Sequence, residues 1–163
     1  TIRATTSFLM ADSTTPDGDY IKPQTNPTNT DCWNGKAYTP LNQLTPGRTK
    51  YGTNNNVRIF RYADVLLMNA EAKIKNGKSG DAPFNEVRRR AQMPELTNVT
   101  FEQVIDERRM ELVCEWGERY NDLVRTGLAK TELKGWSEDK ALLPLPFNQY
   151  TQIPDLLKEP KDE

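Results

Sequence analysis

Glu107, Glu111, Glu115 and Glu118 follow one another at four- and three-residue steps in DERRMELVCEWGERYNDLVRTG, residues 106–127. On a helix this spacing puts consecutive carboxylates on one face, as a bundle metal site or a general acid with its base would require. The rest of the sequence speaks against both chemistries. It contains no histidine, so the Glu-x-x-His pairs of carboxylate metal sites cannot be assembled, and a His-activated nucleophile is excluded as well. A glycosidase pair faces itself across a substrate and is not strung along one helix. Cys32 and Cys114 lie far apart and neither has a CxxC partner, so they cannot make a zinc site alone. Two free thiols or one disulfide would satisfy the sequence equally. No catalytic residue, metal or cofactor is expected.

Arginines are interleaved with these carboxylates. Glu107 beside Arg108 and Arg109, Glu111, and Asp122 beside Arg119 or Arg125 are expected to form structural ion pairs joining this helix to its neighbours and to a closing C-terminal strap. A different set offers ligand chemistry. In DCWNGKAY, Trp33 and Tyr38 present flat apolar faces beside Asp31, Asn34 and Lys36. Sugar rings have apolar C–H faces and a rim of hydroxyls, so Trp33, Asn34 and Tyr38 are the candidate ligand-binding residues. The competing reading has Trp33 plugging its loop onto the helical body. In PDGDY, Asp17 and Asp19 do not follow the spacing of a calcium loop, and a simple turn is expected. Arg88, Arg89 and Arg90 point around their helix in different directions and make no stripe for nucleic acid.

The elements that must position these residues can be read from periodicity. Residues 11–56 carry Pro16, Pro23, Pro27, Pro40 and Pro46 among Gly, Asn and Thr without a sustained period, which predicts a long loop region. From Val57, residues Ile59, Tyr62, Ala63, Leu66, Leu67, Ala70 and Ile74 make an amphipathic stripe, with Gly77 as its cap. A second helix is predicted from about Ala82 to Ala91 with Phe84, Val87 and Ala91 inward, completing a helical hairpin. Thr100 and Gln103 have capping-box spacing ahead of a third helix, and ERYNDLVRTG predicts a fourth that buries Tyr120, Leu123 and Val124. The prolines that follow argue for extended segments, with ALLPLPF as an apolar strap. Leu67, Phe84 and Pro94 approach tetratricopeptide spacing, and one such pair needs neighbours to bury its face.

Composition narrows the function. The 163 residues carry 22 Lys and Arg against 23 Asp and Glu, too balanced to attract nucleic acid. No stretch approaches the roughly twenty apolar residues of a spanning helix. The N-terminal residues lack the pattern of an export signal.

Three blocks, in this order, resemble the C-terminal domain of the SusD/RagB family of nutrient-binding lipoproteins. They are VRIFRYADVLLMNAEAKIKNG, VIDERRMELVCEWGERYNDLVRTG and ALLPLPFNQYTQIPDLLKEP. The middle block is similar to the family's ERR-x-EL stretch followed by R-x-x-DL-x-R-x-G, on Glu107, Arg108, Arg109, Glu111, Leu112, Arg119, Asp122, Leu123, Arg125 and Gly127. Cys114 stands where an aromatic is usual, and EWGE varies the family's turn. The resemblance implies an all-α, SusD-like fold of tetratricopeptide-related hairpins with long irregular loops and an extended C-terminal strap. It implies a loop-rich segment over 1–56, packed on the helical body, and a C-terminal helical region over 57–163. It further implies a fragment of a longer, non-enzymatic outer-membrane protein exposed at the cell surface. Such a protein would capture oligosaccharide and deliver it to a SusC-like TonB-dependent transporter. Cys32, preceded by the polar NPTNTD, is no lipid acceptor, so the only membrane attachment expected is a lipid anchor outside this chain. A peptide- or protein-binding helical-repeat scaffold, as in RagB-like relatives, is the alternative.

Overall fold

The computed structural model describes residues 2–23, 31–45, 56–116, 118–142 and 147–152. The described chain is mostly helical and divides into two compact units, Thr1–Asp122 and Leu123–Glu163.

The first unit is organised around helices α2 (Tyr62–Lys75), α3 (Asp81–Arg90) and α4 (Phe101–Glu111). Ala63, Leu66, Leu67 and Ala70 lie at helical spacing on one side of α2. They pack with Phe84 and Val87 of α3, Val99 and Val104 into one core, with Ile74 and Leu96 at its edge. The stripe is the one read from the sequence, except at its start. The helix begins at Tyr62 and not at Val57, and Ile59 and Tyr62 are 62% and 68% exposed instead of inward. Arg61 is extended, with φ −120° and ψ 153°, and its guanidinium is tied to the end of α4. Apolar spacing marks what a helix could bury, and here the five residues before Tyr62 precede the turn that would bury them.

At the other end of α2 the cap is as expected. Gly77 takes φ +68°, its N–H donates to the Ile74 carbonyl and that of Lys78 to the Lys73 carbonyl, the paired bonds of a Schellman motif. Gly80, which the sequence reading did not single out, is where α3 approaches α2. A Cβ there would lie 2.8 Å from Ile74 Cδ1 and 2.9 Å from the Ala70 carbonyl oxygen. The Ile74 side chain can move, but the backbone carbonyl cannot move without distorting α2. Gly80→Ala is therefore expected to destabilise the protein by about 1–3 kcal/mol, read as a lower midpoint of urea unfolding at unchanged slope.

Helix α3 turns Phe84, Val87 and Ala91 inward as expected. The loop after it is held by side chains: Asn85 donates to the Leu96 carbonyl and accepts its N–H, while both Asp81 carboxylate oxygens accept N–H groups of Asn98 and Val99. These bonds hold the Asp81 carboxyl below its usual range. Helix α4 opens with the expected capping box. Thr100 accepts from the Gln103 N–H at 3.3 Å, and the Gln103 side chain accepts from the Thr100 N–H at 2.9 Å. Helix α5 spans Glu118–Thr126, one residue short of Gly127, with Leu123 buried and Tyr120 and Val124 half-buried.

Short elements precede the region 11–56 read as a long loop, and its described residues hold short strands and turns. A short helix α1 (Ile2–Ser7) leads into strand β1 (Phe8–Met10), and β2 (Ser13–Thr14) and β3 (Tyr20–Ile21) form a small hairpin. Strand β4 (Cys32–Asn34) then pairs antiparallel with β1, placing Leu9 opposite Trp33. Single turns of 3₁₀ helix follow at Gly35–Ala37 and Leu41–Gln43. Strands of two or three residues are too short to show alternation, and β1 meets its partner only after some twenty intervening residues.

The second unit contains the end of α5, helix α6 (Ala129–Glu132), a 3₁₀ turn at Glu138–Ala141 and helix α7 (Phe147–Gln152). The expected strap falls mostly outside the described residues. Cys32 and Cys114 are both free thiols.

Candidate functional site: an aromatic cavity and an ionic cluster

Trp33 and Leu9 are directly paired across β1 and β4, so their side chains share one face of the ribbon. The hairpin brings Tyr20 and Ile21 to the same place, and the turn after β4 brings Tyr38. Together with Asn34 they line a cavity of about 540 Å³, within the usual size of small-ligand pockets. Both tyrosines are fixed by their hydroxyls. Tyr20 donates to Asp12 at 2.7 Å, and this bond raises its pKa. The Tyr38 hydroxyl donates to Asp19 and lies 3.2 Å from the Thr15 hydroxyl. Burial, and then the Asp19 bond, push its pKa up. Three aromatic rings are thus presented at set angles around one concave surface.

The structure places the three candidates unequally. Trp33 is half-buried, with a face on the cavity, so it is both anchor and wall. Tyr38 lines the cavity too. Asn34 also lines it, but its amide is already used: the oxygen caps the Gly35–Ala37 turn by accepting from the Lys36 N–H, and the nitrogen donates to the Cys114 carbonyl at 2.9 Å. Tyr20 was not foreseen, although PDGDY had drawn notice for its acids. Asp19 is turned onto Tyr38 and the Leu41 N–H, inside a turn closed by Thr15 and Gly18.

The carboxylates of α4 face a second set of partners. Glu111, 2% exposed, accepts from Arg61 at 3.0 Å and Arg90 at 2.5 Å, and lies 3.1 Å from Arg3. Its backbone carbonyl, at the C-terminal end of α4 where cations are favoured, takes Lys36 and a further nitrogen of Arg61. Glu115 receives Arg61 through two nitrogens, at 2.6 and 2.8 Å, and Lys36 at 2.7 Å. Burial alone would raise the Glu115 carboxyl, but the bonds from Arg61 and Lys36 outweigh it and hold it low. Glu107 binds Arg3 at 2.6 Å and Arg88 at 2.7 Å.

Arg108, 4% exposed, is held between Asp64 of α2 at 2.6 Å and Asp122 of α5 at 2.8 Å. Burial acts to lower its pKa, and the bonds to Asp122 and Asp64 raise it overall. Glu107, Arg108, Glu111 and Asp122 are thus held in ion pairs, and Glu107 takes partners other than those expected. Glu107 does not use its neighbours Arg108 and Arg109, because residues one or two apart on a helix point to different sides. Arg109 is exposed and makes no ion pair among the described residues. Arg119 is half-buried and Arg125 exposed. The decisive partners, Arg3, Lys36, Arg61, Arg88 and Arg90, come from segments that local spacing cannot connect.

Trp116 was also missed. It is 63% exposed, yet its indole N–H donates to the Arg58 carbonyl at 2.5 Å, beside a cavity of about 450 Å³ that shares Asn34 and Ala37 with the aromatic one.

Fold and site define a mostly helical protein built on a helical hairpin, its N-terminal segment clasped to the end of α4 by ion pairs, with an aromatic cavity alongside. The profile of the SusD family matches residues 3–156, and the chain belongs to that family. It is 33% identical over 119 residues to SusD-like protein P38 of Formosa agariphila, covering 62% of this chain and 24% of the relative. To starch-binding protein SusD of Bacteroides thetaiotaomicron it is 36% identical over 81 residues, covering 49% and 14%. Among solved structures, surface glycan-binding protein A from Bacteroides uniformis superposes with a TM-score of 0.70 at 28% identity, over 93% of this chain and 36% of that one. Surface glycan-binding protein A from Bacteroides thetaiotaomicron gives 0.69 at 32%, over 87% and 33%. The chain thus spans between about a seventh and about a third of the length of these relatives.

Proposed function

We propose that this chain is part of a surface protein that captures an oligosaccharide non-covalently and passes it to a SusC-like TonB-dependent transporter in the outer membrane. Attachment to the membrane would be through a lipid anchor outside this chain. Membership of the SusD family supports the reading, as do the names of the relatives, a starch-binding protein and surface glycan-binding proteins. The observation that carries it in this chain is the cavity walled by Trp33, Tyr20 and Tyr38. Rings whose hydroxyls are already bonded lose little freedom when a sugar stacks on them, so more of the stacking energy appears as affinity. Lys22, exposed at the rim, supplies a polar contact for sugar hydroxyls. No bond is broken in this mechanism; Glu107, Glu111 and Glu115 hold the scaffold.

Calorimetry on the whole protein with a panel of oligosaccharides and peptides tests the reading. One glycan should give saturable heat, and Trp33→Ala should weaken it about tenfold, equivalent to about 1.4 kcal/mol, in protein that still unfolds cooperatively. Saturable heat with peptides alone would replace capture of sugar by the helical-scaffold reading. Unchanged affinity in both Trp33→Ala and Tyr20→Ala would move the sugar site elsewhere.

A further inference from the structure

We infer that the captured glycan is anionic, and that its acid group, a uronate carboxylate or a sulfate ester, is taken by a second cavity on the cationic side of the ionic cluster. The inference rests on the glycan-capture reading above and deepens it by naming the substrate class.

The cavity measures about 460 Å³ and lies between α1, Lys36, Arg61 and the end of α4. Five cationic side chains line it, Arg3, Lys36, Arg58, Arg61 and Arg90, against two carboxylates, Glu111 and Glu115. Bringing in Glu107, which Arg3 also binds, brings in Arg88 on its other oxygen, so the cationic excess of three is unchanged. The whole chain has a formal charge of −1, so this excess is local and not a property of the composition.

Hydrogen bonding points the same way. Ser7 is fully buried and lines the cavity, and its hydroxyl has no hydrogen-bond partner among the described residues; the same holds for Arg3 Nε. A buried donor without an acceptor costs about 1–3 kcal/mol. An oxyanion in the cavity screens the crowded guanidinium groups beside these two donors. Glu111 Oε2 also lacks a hydrogen bond, but it has Arg3 at 3.1 Å as an ionic partner. At the mouth, Arg58 is exposed and its guanidinium has no partner among the described residues, and Arg90 is 63% exposed with one nitrogen on Glu111.

The setting suggests a sugar acid in preference to a free anion. This cavity shares Lys36, Arg58 and Glu115 with the one beside Trp116, which in turn shares Asn34 and Ala37 with the aromatic cavity of Trp33. A neutral glycan would use the ring faces and leave the cations idle. A glycan bearing acid groups meets stacking faces at one end and fixed positive charge at the other.

The test is an array of neutral and acidic polysaccharides followed by calorimetry on the whole protein. The calorimetry uses an oligogalacturonate, its fully methyl-esterified counterpart and a sulfated galactan oligosaccharide. An acidic probe should bind about tenfold or more above its neutral match, and salt should weaken that preference as it screens the partly exposed charges. Arg58→Gln and Arg90→Gln should reduce the preference about fivefold or more, whereas Trp33→Ala should weaken acidic and neutral ligands alike. Which acidic probe binds tells carboxylate from sulfate. Array binding confined to neutral glycans overturns the anionic assignment, an acidic preference untouched in both arginine variants overturns its placement in this cavity, and either result leaves glycan capture standing. An array with no binder at all overturns both.

Discussion

Arg108→Ala is expected to lower the free energy of unfolding by about 3–5 kcal/mol, because it removes the guanidinium that Asp64 and Asp122 share in the interior. Asp64 is 6% and Asp122 2% exposed, so water cannot take the place of the guanidinium. For a chain of this size the loss corresponds to a melting temperature lower by roughly 6–20 °C. Replacing Asp64→Leu, Arg108→Met and Asp122→Leu together should recover part of the stability, since apolar groups of similar volume can substitute for a buried ionic group, while Glu118, 3.7 Å from Arg108, loses its contact. Thermal unfolding of the single and triple variants checks both halves. A single variant within about 1 kcal/mol of the parent would show that the triad is solvated.

Glu111→Gln is the second substitution with a large expected effect, about 3 kcal/mol of stability. The amide keeps the shape but removes the charge on which Arg3, Arg61 and Arg90 converge, and it turns an N–H₂ donor toward groups that only donate. The same variant separates scaffold from chemistry. A structural Glu111 predicts a lower unfolding midpoint in denaturant and no turnover to lose. A catalytic Glu111 predicts intact stability with lost hydrolysis of a bound glycan. The second outcome would contradict the placement of this carboxylate, whose oxygens are already engaged by Arg3, Arg61 and Arg90.

What could be read in advance follows the range of the forces involved. The hairpin α2–α3 and the capping box of α4 were legible because helical periodicity and end-capping are settled within a few residues, by Leu67, Ala70, Phe84 and Thr100 themselves. The start of α2 was misread because Ile59 and Tyr62 continue the apolar spacing without being covered. The aromatic candidates Trp33 and Tyr38 were visible as chemistry, but their companion Tyr20 reaches them only through pairings of two- and three-residue strands. That Glu111 is structural could be inferred from the arginines around it. That its partners are Arg3, Arg61 and Arg90 could not, since they stand 108, 50 and 21 positions away.

Those separations set an order of events. The bond from Arg3 to Glu107 closes a loop of 104 positions, and closing a long loop is entropically unfavourable until other contacts have shortened it. Helices α2, α3 and α4 are near neighbours in the chain and can assemble first. The N-terminal segment can dock only once the end of α4 is in place, since its partners Glu107 and Glu111 stand there. The surface that carries Trp33 and Tyr20 is therefore joined to the helical body by contacts between distant parts of the sequence.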